Sequence, residues 1–161
     1  MKNSYALVTG ASSGIGLEIS NELAKQGFNV ILTARREDKL RNEAEKIQRK
    51  YNVAVDFISS DLSDIDAPNK IFNFCEQKNY QVDILVNNAG YGIKTSFHET
   101  PMEDEEKFIR VLGTSVIALS KAFLPKMMQR NFGKIMIVSS VAAFAPPSSI
   151  QALYGPIKTF M

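Results

Sequence analysis

Short β-branched runs alternate with longer helical patterns from one end of the chain to the other, and this alternation restricts the fold to βαβ units around a parallel sheet. Five runs read as strands: Tyr5–Thr9, Asn29–Ala34, Val53–Ile58, Val82–Val86 and Lys134–Val138. The later ones are dense in Val and Ile, as strands covered on both faces require. After the first strand, Ile15, Ile19 and Leu23 recur at helical spacing until Gly27 supplies a stop. Leu40, Ala44 and Ile47 repeat that stripe in a segment crowded with Glu, Lys and Arg. Pro68 opens a third helix carrying Ile71, Phe72, Phe74 and Cys75. Pro101 precedes a long fourth helix whose first turns hold Glu103, Asp104, Glu105 and Glu106, which suits the helix dipole. Pro146-Pro147-Ser148-Ser149 reads as an exposed loop. At 161 residues the chain is expected to form a single domain over residues 1–161, an α/β, Rossmann-type doubly wound parallel sheet of strand order 3-2-1-4-5.

Thr9-Gly10-Ala11-Ser12-Ser13-Gly14-Ile15-Gly16 sits where the first strand gives way to the first helix, the place where such sheets bind a dinucleotide pyrophosphate. Gly10 lets the strand turn, Gly14 lets backbone approach phosphate oxygens, and Gly16 lets the helix lie close on the sheet. Ser12 and Ser13 can donate hydroxyls. No Lys-Ser or Lys-Thr follows the last glycine, which excludes a P-loop. At the end of the second strand, where an acid would accept from a ribose 2′-hydroxyl, the chain reads Thr33-Ala34-Arg35-Arg36. Arg35 and Arg36 predict a clamp on a 2′-phosphate, and so NADP(H) ahead of NAD. Glu37 is the competing partner for a hydroxyl, but it comes late and suits the helix N-terminus better.

Nineteen Lys and Arg against seventeen Asp and Glu give a net charge of +2, spread along the chain, so neither nucleic acid nor an anionic membrane is the expected partner. No run approaches the ~18 consecutive apolar residues of a membrane span. The lone Cys75 and the lone His98 provide neither an internal disulfide nor a His-rich metal site. Metal-free chemistry in the cytoplasm is the expectation.

Three further motifs follow the glycine turn in order: Asp61-Leu62 after the third strand, Asn87-Asn88-Ala89-Gly90 after the fourth, and Tyr154-Gly155-Pro156-Ile157-Lys158 near the end. With its TGxxxGxG turn and YxxxK pair, the chain resembles the short-chain dehydrogenase/reductase family along its whole length. The resemblance implies an NADP(H)-dependent oxidoreductase that moves a hydride between the nicotinamide and a small carbonyl compound or secondary alcohol, with a homo-oligomer among the states it allows. It implies cofactor contacts from Gly10, Ser12, Ser13, Gly14, Ile15 and Gly16, from Arg35 and Arg36, from Asp61 and Leu62 near the adenine, and from Asn88, Ala89, Gly90, Tyr154 and Lys158. Tyr154 and Lys158, four apart on a helix, share a face. A phenol with an ordinary pKa of about 10 is a poor acid near neutrality, and a neighbouring ammonium favours its phenolate. By resemblance Tyr154 exchanges the proton, Lys158 holds the nicotinamide ribose, and Ser140, ahead of Ser139, hydrogen-bonds the substrate oxygen.

The sequence departs from the family pattern in its second half. Leu112 stands where the family carries an asparagine of a proton relay. Ser140 is one position farther from Tyr154 than is usual. Pro156 within the YxxxK pair is expected to hold Gly155 out of the helix and leave Tyr154 ahead of it. Ile157 replaces a small residue. Family members continue well past Met161, so the chain is expected to lack the C-terminal strands, to expose strand five as an edge and to end on a frayed helix. These departures support a second reading, a catalytically impaired nucleotide-binding module or an inactive fragment of such an enzyme.

Overall fold

The structure, a computed structural model, describes residues 4–146, 150 and 152–161. Strands β1 (Ser4–Thr9), β2 (Asn29–Ala34), β3 (Val55–Ser59), β4 (Gln81–Asn87) and β5 (Lys134–Ile137) form one parallel sheet in the order β3-β2-β1-β4-β5. The expected Rossmann-type topology is therefore present. Helices α1 (Gly14–Lys25), α2 (Glu37–Tyr51), α3 (Ala67–Gln77), α4 (Met102–Ile109), α5 (Ser115–Gln129) and α6 (Tyr154–Phe160) complete it. Of the expected loop at Pro146–Ser149, Pro147, Ser148 and Ser149 lie outside the described residues.

The sheet is buried on both sides because alternate residues of one strand serve different layers. Ala6 and Val8 of β1 join Val30, Leu32, Leu40, Ala44 and Ile47. Leu7, between them, joins Ile31, Ile71, Leu85, Phe108 and Leu119 on the other side. Registry pairs Thr9 with Thr33 and Val8 with Val86, so the C-terminal ends of β1, β2 and β4 finish together along one rim.

The stripe expected for α1 is displaced. Its buried residues are Gly16, Ser20 and Ala24, whereas Ile15 is 64% exposed and Ile19 and Leu23 are only partly buried. Small residues win because this helix lies hard against the sheet: a Cβ on Gly16 would sit 2.5 Å from the Gly10 carbonyl oxygen. On α2 the expected Leu40, Ala44 and Ile47 are the buried set.

Between α4 and α5 the chain runs through a wide π turn, Arg110–Thr114. Such a turn absorbs one extra residue. Phe108 and Met127, both buried, are 19 positions apart. At about 100° per residue that spacing would put them on different sides of a regular helix, and removing one residue makes it five whole turns. The segment Met102–Gln129 is also long and apolar enough, by length and composition, to cross a membrane, with 44% of its apolar window buried. Reading for an uninterrupted apolar run missed it. Here it packs against β4 and α3.

Pro156 does not expel Tyr154 from α6. Tyr154 is the first helical residue, which puts Pro156 in the first turn, where a backbone N–H would have no intrahelical acceptor and its loss costs nothing. This short helix is tied down by side chains. Lys158 Nζ donates to the Val138 carbonyl at 2.8 Å, Ser139 Oγ to the Lys158 carbonyl at 2.7 Å, and Thr159 Oγ1 to the Ala143 carbonyl at 2.9 Å.

Candidate functional site

A cleft of about 480 Å3 opens over the rim where β1, β2 and β4 end. Of the residues expected to bind a nucleotide, Gly10, Ser12, Ser13, Arg35, Arg36, Asp61, Leu62, Ala89 and Gly90 line it. Gly14, Ile15 and Gly16 begin α1 beside it, and Asn88 lies behind it.

The floor is fixed by Thr9. Its hydroxyl donates to the Val86 carbonyl at 3.2 Å and accepts from the backbone N–H groups of Asn88 at 2.9 Å and Ala89 at 3.0 Å. Asn88 returns the bond, its side-chain amide donating to the Thr9 carbonyl at 2.8 Å. One hydroxyl and one amide thus lock the end of β1 to the end of β4. A Cβ on Gly16 would also lie 2.4 Å from the Asn88 amide nitrogen. Gly14 differs: its φ is +59° and nothing stands within 4 Å of where its Cβ would be. Ser13 at the N-cap makes no side-chain cap, so the first N–H groups of α1, beside the cleft, have no capping side chain.

At the end of the cleft beside β2, Arg36 donates to Ser12 Oγ at 3.2 Å and Ser13 Oγ at 3.5 Å. Glu37 is engaged elsewhere, on Arg41 at 2.8 Å, within the first turn of α2. Asp61 caps its own turn, accepting from the Ser63 backbone N–H at 2.9 Å and the Ser63 hydroxyl at 2.8 Å. Thr33 Oγ1 is buried with no hydrogen-bond partner. Tyr91, Lys107 and Val111 also line the cleft, and sequence reading did not find them. Lys107 and Val111 are one turn apart, a spacing that could have flagged them. Burial raises the Tyr91 phenol above its ordinary value.

Tyr154, Lys158 and Ser140 lie outside the lining of that cleft, at the end of β5. The Lys158 ammonium sits 5.9 Å from the centroid of the Tyr154 ring, and its hydrogen bond goes to Val138. Burial pushes its pKa below the ordinary lysine value. Tyr154 packs against Phe108 at 6.4 Å between centroids. Ser140 Oγ accepts from the Ala142 backbone N–H at 3.2 Å, which leaves its own proton free to be donated. Leu112 is fully buried in the π turn and faces Gly90, a Cβ there lying 3.6 Å from its Cγ. The hydrocarbon side chain of Leu112 has no atom that can pass a proton.

The family model for short chain dehydrogenases matches residues 4–161. The chain belongs to the short chain dehydrogenase family. Among curated relatives, the very-long-chain 3-oxoacyl-CoA reductase of Laccaria bicolor is 37% identical over 164 residues, covering 99% of this chain and 48% of that protein. The namesake from Ajellomyces capsulatus is 34% identical over 168 residues, again 99% of this chain and 48% of the other. This family member thus spans about half the length of the curated relatives it matches. Among solved structures, a short-chain dehydrogenase from Sphingobium yanoikuyae in complex with NADPH superimposes with a TM-score of 0.91 at 30% identity, over 98% of this chain and 60% of that one. L-sorbose reductase from Gluconobacter frateurii, complexed with NADPH and L-sorbose, gives 0.90 at 29%, over 99% and 62%.

Proposed function

We propose that this short chain dehydrogenase is part of an NADP(H)-dependent oxidoreductase that interconverts a carbonyl compound and a secondary alcohol. The observation that carries the cofactor choice is Arg36, held against Ser12 and Ser13 at the mouth of the glycine turn. A guanidinium there suits a 2′-phosphate, and no acid competes for a ribose hydroxyl, since Glu37 is paired to Arg41. The rest of the cleft fits a dinucleotide: uncapped N–H groups at the start of α1, open space over Gly14 and the orphaned Thr33 hydroxyl each call for a polar ligand. The NADPH named in the two solved relatives supports the same reading.

The residues would hold the cofactor along the rim, with Arg36 at the phosphate on the adenosine, α1 at the pyrophosphate and Lys158 at the nicotinamide ribose. When bound, the reduced nicotinamide supplies a hydride to the carbonyl carbon. Ser140 donates a hydrogen bond to the carbonyl oxygen with the proton that Ala142 leaves free. Tyr154 gives its phenolic proton to that oxygen, and the nearby Lys158 ammonium favours the phenolate left behind. Lys158 spends one donor on Val138, which fixes its position and leaves two for the ribose.

A second reading rests on Leu112, whose burial in the π turn closes one route for returning the proton to Tyr154: a module that binds NADP(H) without turnover. Fluorescence titration with NADPH and NADH, followed by oxidation assays on a panel of carbonyl compounds, separates the two. The enzyme binds NADPH more tightly and oxidises it; the module binds and stops. Equal affinity for both coenzymes would sink the assignment of Arg36.

A further inference from the structure

We infer that the substrate of this site is an apolar carbonyl compound, its carbonyl flanked by an alkyl chain or ring. This rests on the reading of Ser140 and Tyr154 as the pair that meets the substrate oxygen. Three segments border that pair. The short turn Val141–Ala143 follows Ser140 directly and is packed on the first turn of α6: a Cβ on Gly155 would lie 2.9 Å from the Ala142 carbonyl oxygen. Ile150, shortly before Tyr154, forms an antiparallel bridge to Ser96, which brings in the loop after β4 that carries Phe97.

The side chains these segments leave exposed are large and apolar. Val141 is 88% and Phe144 93% exposed, and Phe97 and Ile150 are about half exposed. From Ile135 to Ile157 the sequence contains no charged residue at all, although 22% of the chain is charged. A solvated loop without a role in recognition has no reason to exclude Lys, Glu and Asp while displaying Val and Phe. Charged residues on the facing loop are few, Lys94 and Glu99, and Glu99 is engaged by the Ser96 hydroxyl. The segments beside Ser140 and Tyr154 thus offer mainly hydrophobic contact, the Lys158 ammonium next to Tyr154 being engaged by the Val138 carbonyl.

Mixing ketones with NADP+, which has no hydride to give, allows their binding to be measured whether or not the protein turns over. Titration calorimetry of the protein with NADP+, then with 2-pentanone, 2-heptanone and 2-nonanone in the NADP+-saturated state, is expected to show affinity rising about threefold to fourfold per methylene. Pyruvate and acetoacetate are expected to bind at least tenfold more weakly than 2-heptanone. The variants Val141→Ser and Phe144→Ser should flatten the chain-length slope while NADP+ affinity stays as it was. NADP+ binding with a flat slope, or with the keto acids bound more tightly, overturns the inference and leaves the proposed function standing. Serine variants that melt at lower temperature but keep the slope also overturn it, showing those side chains to be packing surface for more polypeptide. No NADP+ binding in the first titration defeats the proposed function itself, and this inference with it.

Discussion

Lys158 brings an ammonium group into a site where it is 5% exposed, and burial holds its pKa below 10.5. Below that lowered value the group is charged in both folded and unfolded chains, so the fold bears the cost of desolvating it. The stability recovered by deprotonation appears as pH rises through the lowered value and is complete above 10.5, the ordinary value. The parent should therefore gain stability as pH rises through the lowered value toward 10.5, a gain that Lys158→Met should lack, while NADPH oxidation is lost in the variant; thermal melts across that range check it. Tyr154→Phe removes only the exchangeable proton, and a fall in kcat of about 10²-fold or more with unchanged NADPH affinity is expected from stopped-flow and binding measurements. Arg36→Asp should weaken NADPH by about tenfold or more and spare NADH, because a charge-assisted contact is lost on one ligand alone. The glycines, the arginines and the YxxxK pair were legible because their residue types are unusual where they stand. Thr33, Tyr91 and Lys107 were not, since ordinary residues become site residues only when distant segments meet. Nor could the sequence show that Lys158 donates to the Val138 carbonyl.

Helix α1 shows what periodicity can and cannot reveal. The helix itself and its end at Gly27 were readable, but its buried face was taken from the largest residues and lies on Gly16, Ser20 and Ala24. Where a helix approaches a sheet closely, the contact selects small residues over hydrophobic ones. Gly16→Ala is expected to cost about 1–3 kcal/mol in denaturant unfolding, since the new methyl group meets Gly10 and Asn88, and to weaken NADPH binding in the same titrations. Helix α6 gives the opposite lesson. Pro156 predicted a disruption, and its place in the first turn makes it harmless. The π turn left no trace in residue types, because Val, Leu, Gly and Thr in that order fit a regular helix as well.

Strand order and the doubly wound arrangement followed from the alternation of strand and helix patterns, which depends on the whole chain and tolerates errors of one or two residues at each end. β3 starting at Val55 in place of Val53 changes nothing in the topology. Two strands stand at the edges of the sheet, β3 beside β2 and β5 beside β4, and on β5 Met136 is 48% and Ile137 38% exposed. An edge of this kind pairs readily with another strand. Sedimentation of the 161-residue chain is expected to show association that grows with concentration, and Met136→Lys should reduce it. The wide turn at Arg110–Thr114 carries a different consequence for the molecule as a whole. Because it stores the one residue by which two halves of a long rod exceed a regular helix, a deletion there closes the turn with Phe108 and Met127 still on one side, whereas a deletion between Ser115 and Ala122 rotates everything beyond it by about 100°. Phe123 and Met127 would then turn away from the core they occupy. Gene-length variation that touches this rod among natural relatives should therefore fall at the wide turn, where a codon lost leaves every buried side chain facing the way it did.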